Sequence, residues 1–192
     1  MKKILALLAV LALALTSRAE TETFKIDPVH SSVGFSLRHL FSNFASSFTK
    51  VNGAISYDAS VPEKSSVEAT VEIPSLSTAN EKRDAHILSA DFFDATKFPT
   101  ATFKSKSWKK TGDGAYDVTG NLTLKDVTKE VVLKVTLLGT GPGMGGATVS
   151  GWTATTTIKK SEFGLAGPAM LSKALGDDVT LTINIEAGYK KA

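Results

Sequence analysis

The chain has 192 residues, with 22 Lys and Arg against 19 Asp and Glu, and no cysteine. That length suits one domain with a sizeable core, and the missing thiols exclude a disulfide framework, a thiolate metal site and a lipid-modified cysteine. The basic excess belongs to Lys2, Lys3 and Arg18, which no acid accompanies in residues 1–19; residues 20–192 carry 19 charges of each sign and give no support for a nucleic-acid partner.

Met1-Lys2-Lys3, the apolar run Ile4 to Leu15 and the small-residue site Ser17-Arg18-Ala19 predict a secretory signal over residues 1–19, cleaved after Ala19, with the folded domain in 20–192. The run is well short of the roughly 20 apolar residues of a spanning helix, and no second run is long enough either. From Phe24 the hydrophobic period becomes two. Val33, Phe35 and Leu37 alternate with Ser32, Gly34, Ser36 and Arg38 as in a half-buried strand. Asp27-Pro28 before it marks a bend, because Pro lacks the N–H a ladder needs. Leu40, Phe41, Phe44 and Phe48 fall at mixed spacing and read as a short helical turn followed by a strand to Val51. Asn52-Gly53 reads as a turn before a strand over Ala54-Ile55-Ser56-Tyr57.

Val67, Ala69, Val71 and Ile73 form the next one-sided row, which Pro74 ends. Thr78-Ala-Asn-Glu81 fits a capping box, in which the Thr hydroxyl and the Glu carboxylate satisfy free N–H groups. It predicts one short helix near residues 79–90 with Ala85, Leu88 and Phe92 on its apolar face. Phe98-Pro99 returns the chain to an extended form. Rows through Ala101 and Phe103, Tyr116 to Leu124, Val131 to Leu137, Trp152 to Ile158 and Val179 to Ile185 follow, separated by turns at 111–114 and 125–126, a Gly-rich connection at 139–146 and a longer crossing at 161–178. About eight evenly spaced strands without a βαβ rhythm predict an all-β, eight-stranded antiparallel barrel, whose interior has room for side chains or one small ligand.

Candidate chemistry is sparse. His30, His39 and His86 have no metal-ligand spacing, so no metal and no cofactor are expected. Ser31 and Ser32 follow His30 but lack a nucleophile elbow, and the run at 139–146 lacks the Gly-Lys-Ser/Thr of a phosphate loop. Arg83, Asp84, His86, Asp91 and Asp94 are the best polar cluster. They read either as acid/base machinery or, preferably, as an Arg-braced carboxylate network that pins the helix to the sheet. The phenylalanines outside the strand rows either plug the barrel or line an apolar channel.

Phe24-Lys-Ile-Asp-Pro-Val-His-Ser31 with Val33-Gly-Phe35 and His39 resembles the opening of YceI-like proteins. Arg83-Asp-Ala-His86, Asp91-Phe-Phe-Asp94 and Lys97-Phe-Pro-Thr-Ala-Thr-Phe103 resemble that family's central signature; Gly120-Asn-Leu-Thr123 and Ser161-Glu-Phe-Gly-Leu165 resemble its later motifs. Asp126 stands where the family often has Gly, and Lys160 where it often has Arg. The resemblance implies a lipocalin-like barrel, export to the periplasm and an interior that binds a long isoprenoid or related lipid. It implies no catalytic residue.

The expectation is therefore a periplasmic carrier, not an enzyme, that sequesters a quinone- or polyprenyl-type lipid by apolar burial. Phe35, Leu37, Phe41, Phe44 and Val71 are the expected lining from the first half. Leu88, Phe92, Phe93, Phe103 and Leu133 complete it, with His39, Arg83 and His86 at a polar head group. The alternatives are an enzyme acting on such a lipid through Asp84 and His86, or a stress-related structural module with a filled core. Partners are the lipid and no nucleic acid; a homodimer is left open.

Overall fold

The computed structural model describes residues 21–189. The predicted signal lies outside the described residues. Among the described residues, eleven strands form one antiparallel sheet with a single α-helix. In chain order they are β1 (Glu22–Ile26), β2 (Ser32–His39), β3 (Ser42–Phe48), β4 (Val51–Tyr57), β5 (Ser66–Glu72), β6 (Leu76–Ser77), α1 (Glu81–Leu88), β7 (Thr100–Gly112), β8 (Ala115–Leu124), β9 (Val127–Pro142), β10 (Thr148–Lys159) and β11 (Leu175–Tyr189).

The ring runs β1–β4–β5–β7–β8–β9–β10–β11 and closes where Lys25 and Ile26 of β1 pair with Gly188 and Ala187 of β11. The expected eight-stranded antiparallel barrel is thus present. The other strands, β2, β3 and β6, continue the sheet from β11. The registers show why. β11 pairs with β1 at Ala187 and Gly188 and with β2 from Asn184 back to Leu175, so β1 and β2 are halves of one bent course. β3 and β4 follow in the same way, β3 against β2 and β4 against β1.

The jog between β1 and β2 falls at Asp27–Ser31, where the sequence predicts a bend. Asp27 accepts the Val29 N–H at 2.8 Å. The hydroxyl of buried Ser31 accepts the Glu186 N–H at 3.1 Å and lies 3.2 Å from the Glu186 carbonyl, so the backbone polar groups of β11 stay satisfied where the partner changes.

Beyond Glu72 the halves part. β5 pairs with β7, but β6 pairs only with β3, so the barrel splays at one end between β6 and β7. Residues 73–99 leave and re-enter the sheet there, with the Ile73 N–H on the Pro99 carbonyl at 2.9 Å. α1 and the segment that follows it fill the gap. Four predicted local features differ. The Gly-rich connection expected at 139–146 is strand in its first half, with Gly139, Thr140, Gly141 and Pro142 paired with Gly151, Ser150, Val149 and Thr148. Leu40 to Phe48 holds no helical turn: Leu40 and Phe41 are a tight turn between paired His39 and Ser42. Asn52-Gly53 lies inside β4, with Gly53 at φ 142 opposite Ala69, where an added Cβ would strike the Glu68 carbonyl. The capping box does not form: Asn80, not Thr78, caps α1 by accepting the Arg83 N–H at 3.0 Å. At the β8–β9 turn the positive φ falls on Lys125, so Asp126 needs no glycine-like conformation.

Candidate functional site

The inward rows of β5, β7–β11 and β2 are apolar, and they enclose space they do not fill. One cavity of about 550 Å³ lies at the splayed end, a second of about 120 Å³ lies deeper, and Val33, Val71, Ala101, Leu122 and Leu181 line both. Along β11, Val179 and Leu181 face the first, and Leu181, Ile183 and Ile185 face the second. Six strand steps at about 3.3 Å put Ile185 roughly 20 Å from Val179. The two cavities therefore lie end to end along β11 as one elongated apolar interior, with the shared residues as a waist between them.

The far end is closed by rings. Tyr57 packs edge-on against Trp152 at 5.0 Å and against Tyr116 at 6.2 Å, and Trp108 lies 5.6 Å from Tyr116. The Tyr57 and Tyr116 hydroxyls bond to each other at 2.8 Å, and Trp152 Nε1–H donates to Ser150 at 2.8 Å. Burial first, and then the Tyr116 hydroxyl, push the Tyr57 phenol far above its usual range, so it stays neutral. Trp108 Nε1–H is buried with no acceptor among the described residues.

The near end is a mouth with a strap. α1 buries no residue fully; it is held by its ends and by polar clamps. The Thr78 N–H and hydroxyl both donate to Asp84, the N–H at 2.9 Å. Arg83 donates from Nε to the Thr78 hydroxyl at 2.9 Å and from a terminal nitrogen to the Thr78 carbonyl at 2.7 Å, and its guanidinium lies 4.7 Å from the Phe44 ring centre. His86 pairs with Asp91 at 2.9 Å and packs against Phe92 at 5.3 Å. Behind the strap Phe35, Phe48 and Phe93 stack in turn at 5.6 and 5.5 Å. Lys125 reaches from the β8–β9 turn to the carbonyls of Phe92 at 3.0 Å and Gly164 at 3.4 Å. Gly167, at φ 75, passes so close over Phe92 that a Cβ there would sit 2.4 Å from the ring.

The structure gathers most of the expected lining. Phe35, Leu37, His39, Phe44, Val71, Arg83, His86, Phe92 and Phe93 face the larger cavity. Phe103 and Leu133 face the deeper one instead. Leu88 does not reach the channel: it packs with Phe48, Ile73 and Leu76, and its neighbour Ile87 lines the cavity. Phe41 is 92% exposed, because it occupies the outer turn between β2 and β3. Ala85 is exposed, so the inner face of α1 is Asp84, Ile87 and Leu88, not Ala85, Leu88 and Phe92. Arg83 makes no carboxylate pair among the described residues, and Asp84 and His86 have separate partners, so the polar cluster is two clamps and not one network.

The lining also includes Lys160, Leu165, Leu171 and Leu175 from the β10–β11 crossing, which carries no regular period to betray them. Lys160 donates to the Ala166 carbonyl at 3.0 Å. His30 lies apart from His39 and His86, where it, Asp27 and Glu186 bring donor atoms within 4.8 Å of one another at the β1–β2 jog. Asp27 accepts from the His30 ring at 2.8 Å, which holds the imidazole above its usual pKa and the carboxyl below its own.

A family model described as YceI-like domain matches residues 24–187. A Pseudomonas putida protein named UPF0312 is 38% identical over 185 residues, covering 94% of this chain and 96% of that one. Among solved structures, a Campylobacter jejuni YCEI protein superposes with a TM-score of 0.70 at 31% identity, covering 79% of this chain and 88% of that one. A domain from Saccharophagus degradans, described as a polyisoprenoid binding domain implicated in plant cell wall breakdown, superposes with a TM-score of 0.65 at 15% identity, covering 85% of this chain and 97% of that one.

Proposed function

The chain belongs to the YceI-like domain family, and on that premise we propose that it is a carrier which encloses the hydrocarbon chain of a long isoprenoid lipid, of quinone or polyprenyl type, in the periplasm. The observation that carries this reading is the interior: two apolar cavities end to end along β11, with five lining residues in common and polar side chains at the mouth. The larger cavity alone falls within the roughly 300–1,000 Å³ of ordinary small-molecule sites. Each methylene moved into it from water contributes about 0.8 kcal/mol, so a long chain binds by the sum of many weak gains. The description of the neighbour from Saccharophagus degradans as a polyisoprenoid binding domain supports the same ligand class. His39, Arg83, His86 and Lys160 line the mouth, where a polar head group would rest.

The role is binding and not catalysis in this reading. Asp84 is taken up by Thr78, and His86, at the mouth, by exposed Asp91, so the two form no acid/base pair. The signal predicted over residues 1–19 supports export, with the Lys-Lys start and the short apolar run as its warrant.

Native mass spectrometry of protein recovered from its own cells, followed by solvent extraction, tests the function. The expected result is an apolar species of lipid mass that leaves on extraction. Protein that is empty in every preparation, and that takes up no ubiquinone or polyprenol when these are supplied, overturns the carrier reading.

A further inference from the structure

The splayed end carries large apolar side chains that the channel does not use. Phe41 is 92%, Met170 85% and Leu40 53% exposed. They are neighbours through their backbones. Leu40 and Phe41 form the turn between cavity-lining His39 and Ser42, Met170 precedes cavity-lining Leu171, and the Leu40 N–H donates to the Ala174 carbonyl at 2.7 Å. Arg38 Nε–H donates to the Leu40 carbonyl at 2.7 Å and braces the turn outward.

On these two segments the charge is one-sided. Residues 28–57 contain no Asp or Glu and supply Arg38; residues 163–176 contain none and supply Lys173. On the outer wall, by contrast, lysines are matched across strands, as in Lys104–Glu68, Lys106–Glu130, Lys134–Asp117 and Lys159–Asp178. Among the described residues no carboxylate pairs with Arg38 or Lys173. Asp177 and Asp178 lie in the β11 bulge opposite Arg38 but are taken up elsewhere, Asp177 by the Ser161 N–H and hydroxyl and Asp178 by Lys159, while Asp91 across the mouth is held by His86.

We propose that the β2–β3 turn and the 168–174 loop dock the mouth onto a lipid bilayer bearing anionic head groups, with Phe41, Met170 and Leu40 entering the interface and Arg38 and Lys173 meeting the lipid charge. Solvent-exposed apolar side chains beside unpaired cations are what an interfacial anchor needs. The position matters as much as the composition, because both segments also line the channel. Docking there faces the opening towards the leaflet, so a hydrocarbon chain passes between bilayer and barrel with little of its length crossing water. This step rests on the carrier reading for its purpose, but not for its test.

The test is co-sedimentation with vesicles that contain no isoprenoid. Protein expressed from the full chain, its N-terminus read by intact mass, is mixed with equimolar phosphatidylcholine–phosphatidylglycerol vesicles or with phosphatidylcholine alone. The expected result is binding to the anionic vesicles that weakens with added salt. The exposed double variant Phe41→Ser, Met170→Ser should bind at least about tenfold more weakly, since it withdraws two large apolar groups, while its circular dichroism and its load of co-purified lipid stay unchanged. Lys173→Gln should reduce binding only to the anionic vesicles. All variants share one N-terminus, so any contribution from residues 1–19 cancels. The proposal is overturned if the wild-type protein stays in the supernatant, if the double variant sediments equally well, or if light scattering shows that Phe41 instead holds a second copy of the chain. An empty barrel that still binds vesicles would sink the carrier reading and leave the docking intact.

Discussion

At the scale of single residues, the pair at the β1–β2 jog gives a pH signature. The Asp27 side chain raises the pKa of His30 by hydrogen bonding first and by its charge second, with Glu186 adding to the charge. The His30 ring in turn lowers Asp27. The signs follow. Stability from the raised histidine is fully present below its unfolded value near 6.5 and is lost as pH rises through the higher folded value. Stability from the lowered aspartate is present above its unfolded value near 3.8 and is lost as pH falls through the lower folded one. His30 is exposed and Asp27 only half-buried, so the effect on folding is slight, but it is readable. NMR titration should show His30 titrating above 6.5, and Asp27→Asn should bring it down; an unchanged midpoint would remove the pair. Residue roles were unevenly legible. Ser31 looked like a stray hydroxyl beside a histidine and proves to patch β11, a role set by a partner 155 residues away. Phe41 looked like lining because a phenylalanine off the strand rows suggests a plug, but a turn position faces it outward.

At the scale of elements, the strap over the mouth hangs on Thr78. Its hydroxyl donates to Asp84 and accepts from Arg83, so one atom links the inner face of α1 to the guanidinium over Phe44. Thr78→Val keeps the shape and removes both bonds. The expected cost is about 1–3 kcal/mol, because Asp84 and Arg83 each lose one of the two bonds they make to Thr78, and bonds to charged groups are the stronger kind. Hydrogen exchange across residues 81–98 should quicken while the barrel strands stay protected, and a bound lipid should leave faster. Equal protection in the variant would show that the aromatics alone hold the strap. The helix was legible from its charged, capped pattern, and its start was misplaced by two residues because Thr78 and Asn80 are both good caps. Only the fold decides that Thr78 is needed elsewhere.

At the scale of the whole molecule, the waist is the feature to probe. Leu181→Trp puts a large ring where the two cavities meet. It should leave the mouth open and shut off the deeper space. Mass spectrometry should then find a shorter chain bound, or the same lipid held more weakly by about 0.8 kcal/mol for each methylene expelled. Unchanged affinity for long chains would mean that the deeper cavity takes no part. The strand rows were legible because one face is wet and the other dry, which imposes a period of two. The splay was not, since β2 has the same local pattern as the barrel strands and differs only in what it pairs with, and β6 at two residues is too short to show a period.

The change of partner along β11 also dictates an order of assembly. Residues 22–39 find their final neighbour only in residues 175–189, as Lys25 with Gly188 and His39 with Leu175. A chain that emerges N-terminus first, from a ribosome or through a translocation pore, therefore holds one open β-edge until its last strand arrives. Long-range closure of this kind is slow and leaves intermediates prone to sticking. Ser32, Ser36, Ser42, Ser46 and Ser47 are spread along that waiting hairpin, and such polar side chains make a poor template for another chain. A barrel with an apolar interior thus keeps its first hairpin well supplied with hydroxyls for the interval in which nothing yet covers it.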